Sequence, residues 1–250
     1  MSENVSGFLG GRLQLAQALR GHRVGMDAAL LAAAAPREVE GLLLDAGAGV
    51  GAVGLAAARL APRLEVGLIE IAPAATAMAR RNIALNGLEA RARLYEADLL
   101  SPAARREAGL VDETAAFVLT NPPFHAAGRV RVSPDPGRAL AHVAAAPLGD
   151  WTRACLALLA PGGGFAMIHR ADALGECLAA LEGRLGALRI LPVAPRAGAA
   201  AGRIVVSGVK GSKAPLALLA PLVLHEADGA FTPLADAIFR GEASLPGNPP

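Results

Sequence analysis

The sequence predicts one doubly wound α/β domain built on a seven-stranded, mostly parallel sheet whose last strand runs antiparallel. Three observations carry that expectation. From residue 41 onward, short apolar runs of strand type alternate with helical stretches, the pattern of successive β-α-β units. The first of these strands, 41–45, is apolar on both faces, as a strand covered by helices on two sides must be, and runs directly into a glycine-rich turn. The last two strands, 188–193 and 203–209, are joined by a link too short for a helix, which makes them a hairpin.

The composition bounds what such a domain is made of. The chain has 250 residues, of which 53% are apolar and only 3% aromatic, so its core must consist of Ala, Leu and Val. This is far from the signature of a disordered chain. The net charge is +2, yet only Lys210 and Lys213 are lysine, so the positive charge is nearly all Arg. Planar guanidinium forks suit phosphate, but a bias toward Ala, Gly and Arg produces the same count, and the net charge neither demands nor excludes nucleic acid. Cys155 and Cys177 have no nearby Cys or His at ligand spacing and read as reduced core thiols, with no metal site. A basic region followed by an apolar run is missing from the N-terminus, and stretches 28–35 and 216–224 are too short or too interrupted by Pro to span a bilayer. A cytoplasmic protein without membrane contacts is expected.

In chain order, residues 1–25 are Gly-rich and read as an irregular lead-in or a short hairpin. Asp27 precedes the Ala-rich helix 28–35, which Pro36 ends, and an Asp there can cap the helix. Residues 1–40 would thus pack on the core of a domain spanning 41–250. Strand 41–45 ends in Asp45 and leads through Gly47, Gly49 and Gly51 into helix 52–60, the geometry that brings backbone N–H groups and a helix N-terminus against a ligand. The second strand, 64–70, ends in Glu70, an acid placed to accept hydrogen bonds from the ribose hydroxyls of a nucleoside cofactor. Helix 73–85 opens with Pro73 and is closed by Asn86 and Gly87. Strand 91–97, less apolar and nearer an edge, ends at Asp98, and a helical or loop segment leads to the fourth strand. Beyond it, a polar loop over 125–146 is followed by helix 148–160, the turn 161–164, strand 165–169 and helix 172–185.

The fourth strand, Phe117-Val118-Leu119-Thr120, stops at Asn121, Pro122, Pro123 and Phe124. Proline lacks an N–H and fixes φ, so the ladder cannot continue. The turn offers a side-chain amide, two backbone carbonyls and an aromatic ring. Together these suit a planar NH2 group, which donates two hydrogens while its ring system stacks. Taken alone, a buried strand ended by a Pro-Pro turn explains the same residues. The glycine pattern also satisfies a dinucleotide fingerprint, which Glu70 would serve equally. The Asn-Pro-Pro-Phe turn at the carboxyl edge and the terminal hairpin favour S-adenosylmethionine over NAD.

Asp45 to Gly51, Glu70, Asp98 and Asn121 to Phe124 resemble the motifs of class I S-adenosylmethionine-dependent methyltransferases of the amino-group type, which have a Rossmann-like fold. Gly21-His22-Arg23-Val24-Gly25-Met26-Asp27-Ala28-Ala29-Leu30-Leu31-Ala32 further resembles the bacterial tRNA1(Val) adenine-N6 methyltransferase family, as does Leu224-His225-Glu226-Ala227-Asp228-Gly229 near the end. The resemblance implies that the loop of Gly47, Gly49 and Gly51 holds the methionine end of the cofactor, that Asp45 belongs to the cofactor site, that Glu70 binds the ribose, and that Asp98 with Leu99 binds the adenine. Asp27 would sit in a segment closing over the cofactor, with the helix-cap reading still open. Asn121 and the Pro122 carbonyl would accept the amino hydrogens, and Phe124 would stack the base. That family's turn usually ends in Tyr, and Asn-Pro-Pro-Phe-His also resembles ribosomal RNA guanine-N2 methyltransferases. A protein glutamine offers the same NH2, so three acceptors stay open. Arg129, Arg131 and Arg138 are either phosphate contacts or a solvated loop, and His125 is either a base or a structural group. Trp151 would pack its helix onto the sheet.

Overall fold

The computed structural model describes residues 3–18, 24–123 and 146–247. The Gly-rich lead-in is a hairpin of β1 (Glu3–Phe8) and β2 (Leu13–Ala18), closed by a turn in which Leu9, Gly10 and Gly11 all have positive φ. Helix α1 (Met26–Ala32) begins earlier than expected. Gly25 stands at its N-cap, so Asp27 lies inside the first turn and does not cap the helix. Its carboxylate instead pairs with Arg203, at 2.9 Å. This interaction spans most of the chain and leaves no local mark in the sequence.

The units that follow are β3 (Gly41–Ala46), α2 (Ala52–Leu60), β4 (Leu64–Glu70), α3 (Pro73–Leu85), β5 (Ala92–Glu96), α4 (Pro102–Glu107) and β6 (Ala115–Thr120). Then come α5 (Leu148–Leu158), β7 (Leu159–Arg170), a short 3-10 turn (Ala171–Ala173) and α6 (Leu174–Leu181). The chain continues through β8 (Leu185–Arg196), β9 (Arg203–Lys210), β10 (Ala217–Leu218), β11 (Leu222–His225) and α7 (Pro233–Phe239).

One sheet runs in the order β10-β8-β9-β7-β6-β3-β4-β5, with β11 also on β8, nine strands in all. The seven expected strands form its body, and the two short strands β10 and β11 add to β8 in parallel. Strands β7, β6, β3, β4 and β5 are mutually parallel. Strand β9 is antiparallel as expected, but it lies between β7 and β8 and pairs with both instead of forming the edge. Its Ile204, Val205 and Val206 are buried, so an interior place satisfies both its side chains and its backbone groups.

The stretch 161–164, expected as a turn, belongs to β7. A Cβ on Gly164 would sit 2.3 Å from the Phe117 ring, so glycine is what lets β7 run beside β6 there. Alternation along the strands divides the core: Leu43 joins a cluster with α1, α2 and the hairpin residues Leu9, Leu13 and Leu15, whereas Leu44 joins one with α5 and α6. The doubly wound architecture therefore places the carboxyl ends of β3, β4 and β6 side by side.

Candidate active site

A cavity of about 660 Å³ opens at those carboxyl ends. That volume falls in the range of small-molecule sites. Its floor is the turn between β3 and α2. Gly47 and Gly51 have φ of 75° and 86°, a left-handed backbone, and a Cβ at either would meet a neighbouring side chain at 2.9 Å, Trp151 for the first and Leu68 for the second. At Gly49, by contrast, a Cβ would meet nothing within 4 Å. The turn is pinned from below: the Gly47 and Ala48 N–H groups donate to the Ile69 carbonyl at 3.0 and 2.9 Å, and Gly51 N–H donates to Ala48 at 2.8 Å.

Two carboxylates stiffen this floor. Glu70 ends β4, and its Oε2 accepts Gly49 N–H while its Oε1 accepts the N–H groups of Ile71 and Ala72, each at 2.8 Å. Three donors hold the group in one orientation at the cavity wall. Asp45 is fully buried, and its Oδ2 accepts Gly54 N–H at 2.8 Å, inside the first turn of α2. Burial pushes its carboxyl up to about 7; the Gly54 hydrogen bond opposes that shift and the neighbouring Glu70 charge adds to it.

Asn121 leaves β6 where Pro122 and Pro123 end the ladder, and all three residues line the cavity. The Asn121 Oδ1 is buried and has no hydrogen-bond partner among the described residues. An unpaired buried acceptor costs about 1–3 kcal/mol, a penalty that a donor entering the cavity would relieve.

Of the other expected residues, Asp27 and Leu99 also line the cavity, with Val24 and Ala97 beside them. Asp98 is half-buried but is not among the lining residues, and its Oδ1 accepts Leu100 N–H at 2.9 Å. Phe124, His125, Arg129, Arg131 and Arg138 lie outside the described residues. Trp151 does more than pack its helix. Its Nε1 donates to the Thr120 hydroxyl at 2.8 Å, that hydroxyl donates to the Ala46 carbonyl at 2.9 Å, and the indole forms part of the cavity wall against Gly47. The available signal was topological: α5 begins at the same sheet edge as the turn after β6, so its first turn faces the site.

Among the described residues, the charged lining of the cavity is Asp27, Asp45 and Glu70, with no Lys, Arg or His. Apolar walls with an acidic floor suit a ligand that carries positive charge and hydroxyl donors. Cys155 and Cys177 are free and buried, and the described residues hold no His, Cys, Asp or Glu cluster fit for a metal and no helix long and apolar enough to cross a membrane.

Residues 21–149, just over half of the chain, match the methyltransferase small domain family. A tRNA1(Val) (adenine(37)-N6)-methyltransferase from Porphyromonas gingivalis is 31% identical over 159 residues, covering 62% of this chain and 61% of that protein. The chain thus spans about three fifths of the length of the curated relatives it matches. Among solved structures, the Agrobacterium tumefaciens protein Atu636, described as a predicted O-methyltransferase, shares 35% identity and a TM-score of 0.75, over 88% of this chain and 98% of that one. The P. horikoshii protein TYW2, solved in complex with MeSAdo, shares the fold at 14% identity and a TM-score of 0.57, over 84% of this chain and 72% of that one. The strand order, the site at the carboxyl edge and these matches agree: the chain belongs to the methyltransferase small domain family.

Proposed function

We propose that this protein methylates an exocyclic amino group of a base in RNA, adenine N6 of a tRNA foremost, with S-adenosylmethionine as methyl donor. The observation that carries the reading is the buried Oδ1 of Asn121 at the cavity wall, which has no hydrogen-bond partner among the described residues. The residues present fit the donor. Its net positive charge suits a cavity whose titratable lining, among the described residues, is three acids. Glu70 would take its ribose hydroxyls, Asp45 and the Gly47 to Gly51 turn its methionine end, and Leu99 its adenine face. When bound, S-adenosylmethionine supplies a methyl group already activated by its sulfonium.

The remaining work is alignment and electrostatics. An amino group on a base is a poor nucleophile because its lone pair is delocalised into the ring. Acceptance of its two hydrogens by Asn121 Oδ1 and the Pro122 carbonyl draws the nitrogen toward a tetrahedral geometry and localises that pair. Two prolines fix the turn, so both acceptors are oriented before the substrate arrives. Phe124 is assigned the stacking of the extruded base, and the proton departs to water after transfer. An alcohol acceptor would satisfy only one of the two oxygens.

The adenine assignment is supported by the similarity to the Porphyromonas gingivalis tRNA methyltransferase and by the Val24 to Ala32 segment, which brings Val24, Gly25, Asp27 and Ala28 to the cavity. The Phe124-His125 ending favours guanine N2 in ribosomal RNA as the second reading. An RNA substrate also agrees with a cytoplasmic setting and reduced cysteines. The test is to incubate the protein with isotopically labelled S-adenosylmethionine and unmodified total RNA and to identify labelled nucleosides by mass spectrometry. N6-methyladenosine confined to tRNA supports the first reading, and N2-methylguanosine replaces it with the second. Label in protein glutamine, with none in RNA, overturns both.

A further inference from the structure

Helix α3 and its C-cap carry two buried asparagines that methyl transfer does not use, Asn82 and Asn86. Four residues apart, they lie on one face of the helix, and each presents both ends of its amide to β2. Asn82 Oδ1 accepts Ala16 N–H at 2.7 Å and its Nδ2 donates to Ala16 O at 3.1 Å. Asn86 does the same with Gln14, at 2.9 and 2.7 Å. One helical turn rises about 6 Å over four residues, close to the advance of two residues along a strand. The helix therefore imitates two rungs of a β-ladder along the edge of β2 that β1 leaves open.

The second amide hydrogen separates the two residues. Asn86 donates it to the carbonyl of Asn82, within the helix. Asn82 donates it to the carbonyl of Val50, at 2.9 Å. Val50 lies between Gly49 and Gly51, both in the left-handed region, where a peptide plane has few steric barriers to reorientation. We propose that Asn82 is a positioning residue for the cofactor-binding turn: it anchors the Val50 carbonyl to the N-terminal hairpin and so keeps the Gly47 to Gly51 backbone in the form that receives the ligand. This rests on reading that turn as the S-adenosylmethionine site. The hairpin then acts as a brace for the site without lining it, with Asn82 as the link.

Asn86 supplies a matched control, since Asn86→Ala loses an equivalent pair of hairpin bonds, to Gln14, and no bond to the turn. Asn82→Ala should raise the dissociation constant for S-adenosylmethionine, measured by calorimetry, about tenfold, with kcat at saturating cofactor changed by less than about twofold. Asn86→Ala should leave the dissociation constant within about twofold. In cofactor-free protein, amide exchange of residues 47–51 should speed up about tenfold in Asn82→Ala and stay unchanged in Asn86→Ala. Should Asn82→Ala fail to fold, Asn82→Asp keeps the acceptor for Ala16 N–H and loses both donated bonds, and the same shifts are expected of it. Equal effects from positions 82 and 86, or unchanged exchange at 47–51 in the Asn82 variants, overturn the proposal. If the wild-type protein binds no S-adenosylmethionine, the assignment of the ligand fails, while the exchange measurement still decides the role of Asn82.

Discussion

Asp45 makes the pH dependence of this fold a test of how its site is built. The carboxyl is buried beneath the turn, and desolvation raises it from 3.8 to about 7. The sign follows from proton linkage. Between those two values the folded protein holds a proton that the unfolded chain has lost, so stability falls as pH rises through the interval. Below about pH 4 both forms are protonated and the cost vanishes; above about pH 7 it is complete, at about 4 kcal/mol. Asp45→Asn removes the charge, and its side-chain oxygen can still accept from Gly54 N–H. Urea unfolding of both proteins without ligand, at pH 4, 6 and 8, isolates this group and its coupling to Glu70, because titrations that do not interact with Asp45 cancel in the difference. The variant should gain on the wild type by about 3–4 kcal/mol between pH 4 and pH 8. A difference that stays flat across that range would refute the reasoning, since it would mean Asp45 titrates as an exposed carboxylate. A positively charged ligand favours the ionised carboxylate, so wild-type affinity for S-adenosylmethionine should rise with pH through neutrality, and that rise should be lost in the variant.

Three further outcomes are expected. Asn121→Ala should lower kcat at least about a hundredfold, as removal of a transition-state acceptor does, with cofactor affinity within a few-fold by calorimetry; parallel loss of both would remove the role given to Asn121. The chain has a single Trp, and Trp151 forms part of the cavity wall, so its emission should shift on titration with S-adenosylmethionine. Trp151→Phe should lose that signal and about 1 kcal/mol of stability with the bond to Thr120; an unchanged wild-type spectrum at saturation would place the ligand elsewhere. Burial pushes both the Cys155 and Cys177 thiols up to about 12, so a thiolate-specific reagent at pH 8 should label neither until denaturant is added, and rapid labelling of the native protein would contradict the packing of α5 and α6.

What was legible in the sequence is what short-range chemistry decides. The strand ending at Asp45, the turn with Gly47 and Gly51, helix α2 and the strand ending at Glu70 each announce themselves within a few residues, and they form the cavity floor. The same holds for Asn121, because two prolines after an apolar strand leave the backbone one way out. The position of β9 was not legible. A hairpin shows that two strands pair, but which further strand the returning one meets depends on β7, far away in sequence. The run 161–164 misled for a related reason: glycines that look like a turn are there because the Phe117 ring occupies the space a side chain would need.

The site shows the same division, and it decides between ligands. Asp45 and Glu70 can each be found from spacing, but spacing serves a dinucleotide and a sulfonium donor equally. Asp27 reads locally as a helix cap. Only the packing of α1 against the carboxyl edge turns it into a third cavity acid, and only the Arg203 pair, formed across the sheet, explains its orientation. Arg203 itself is not among the cavity-lining residues, so among the described residues every titratable side chain that lines the cavity is an acid. The preference for a positively charged methyl donor is thus a property of the assembled edge. No single motif along the chain carries it.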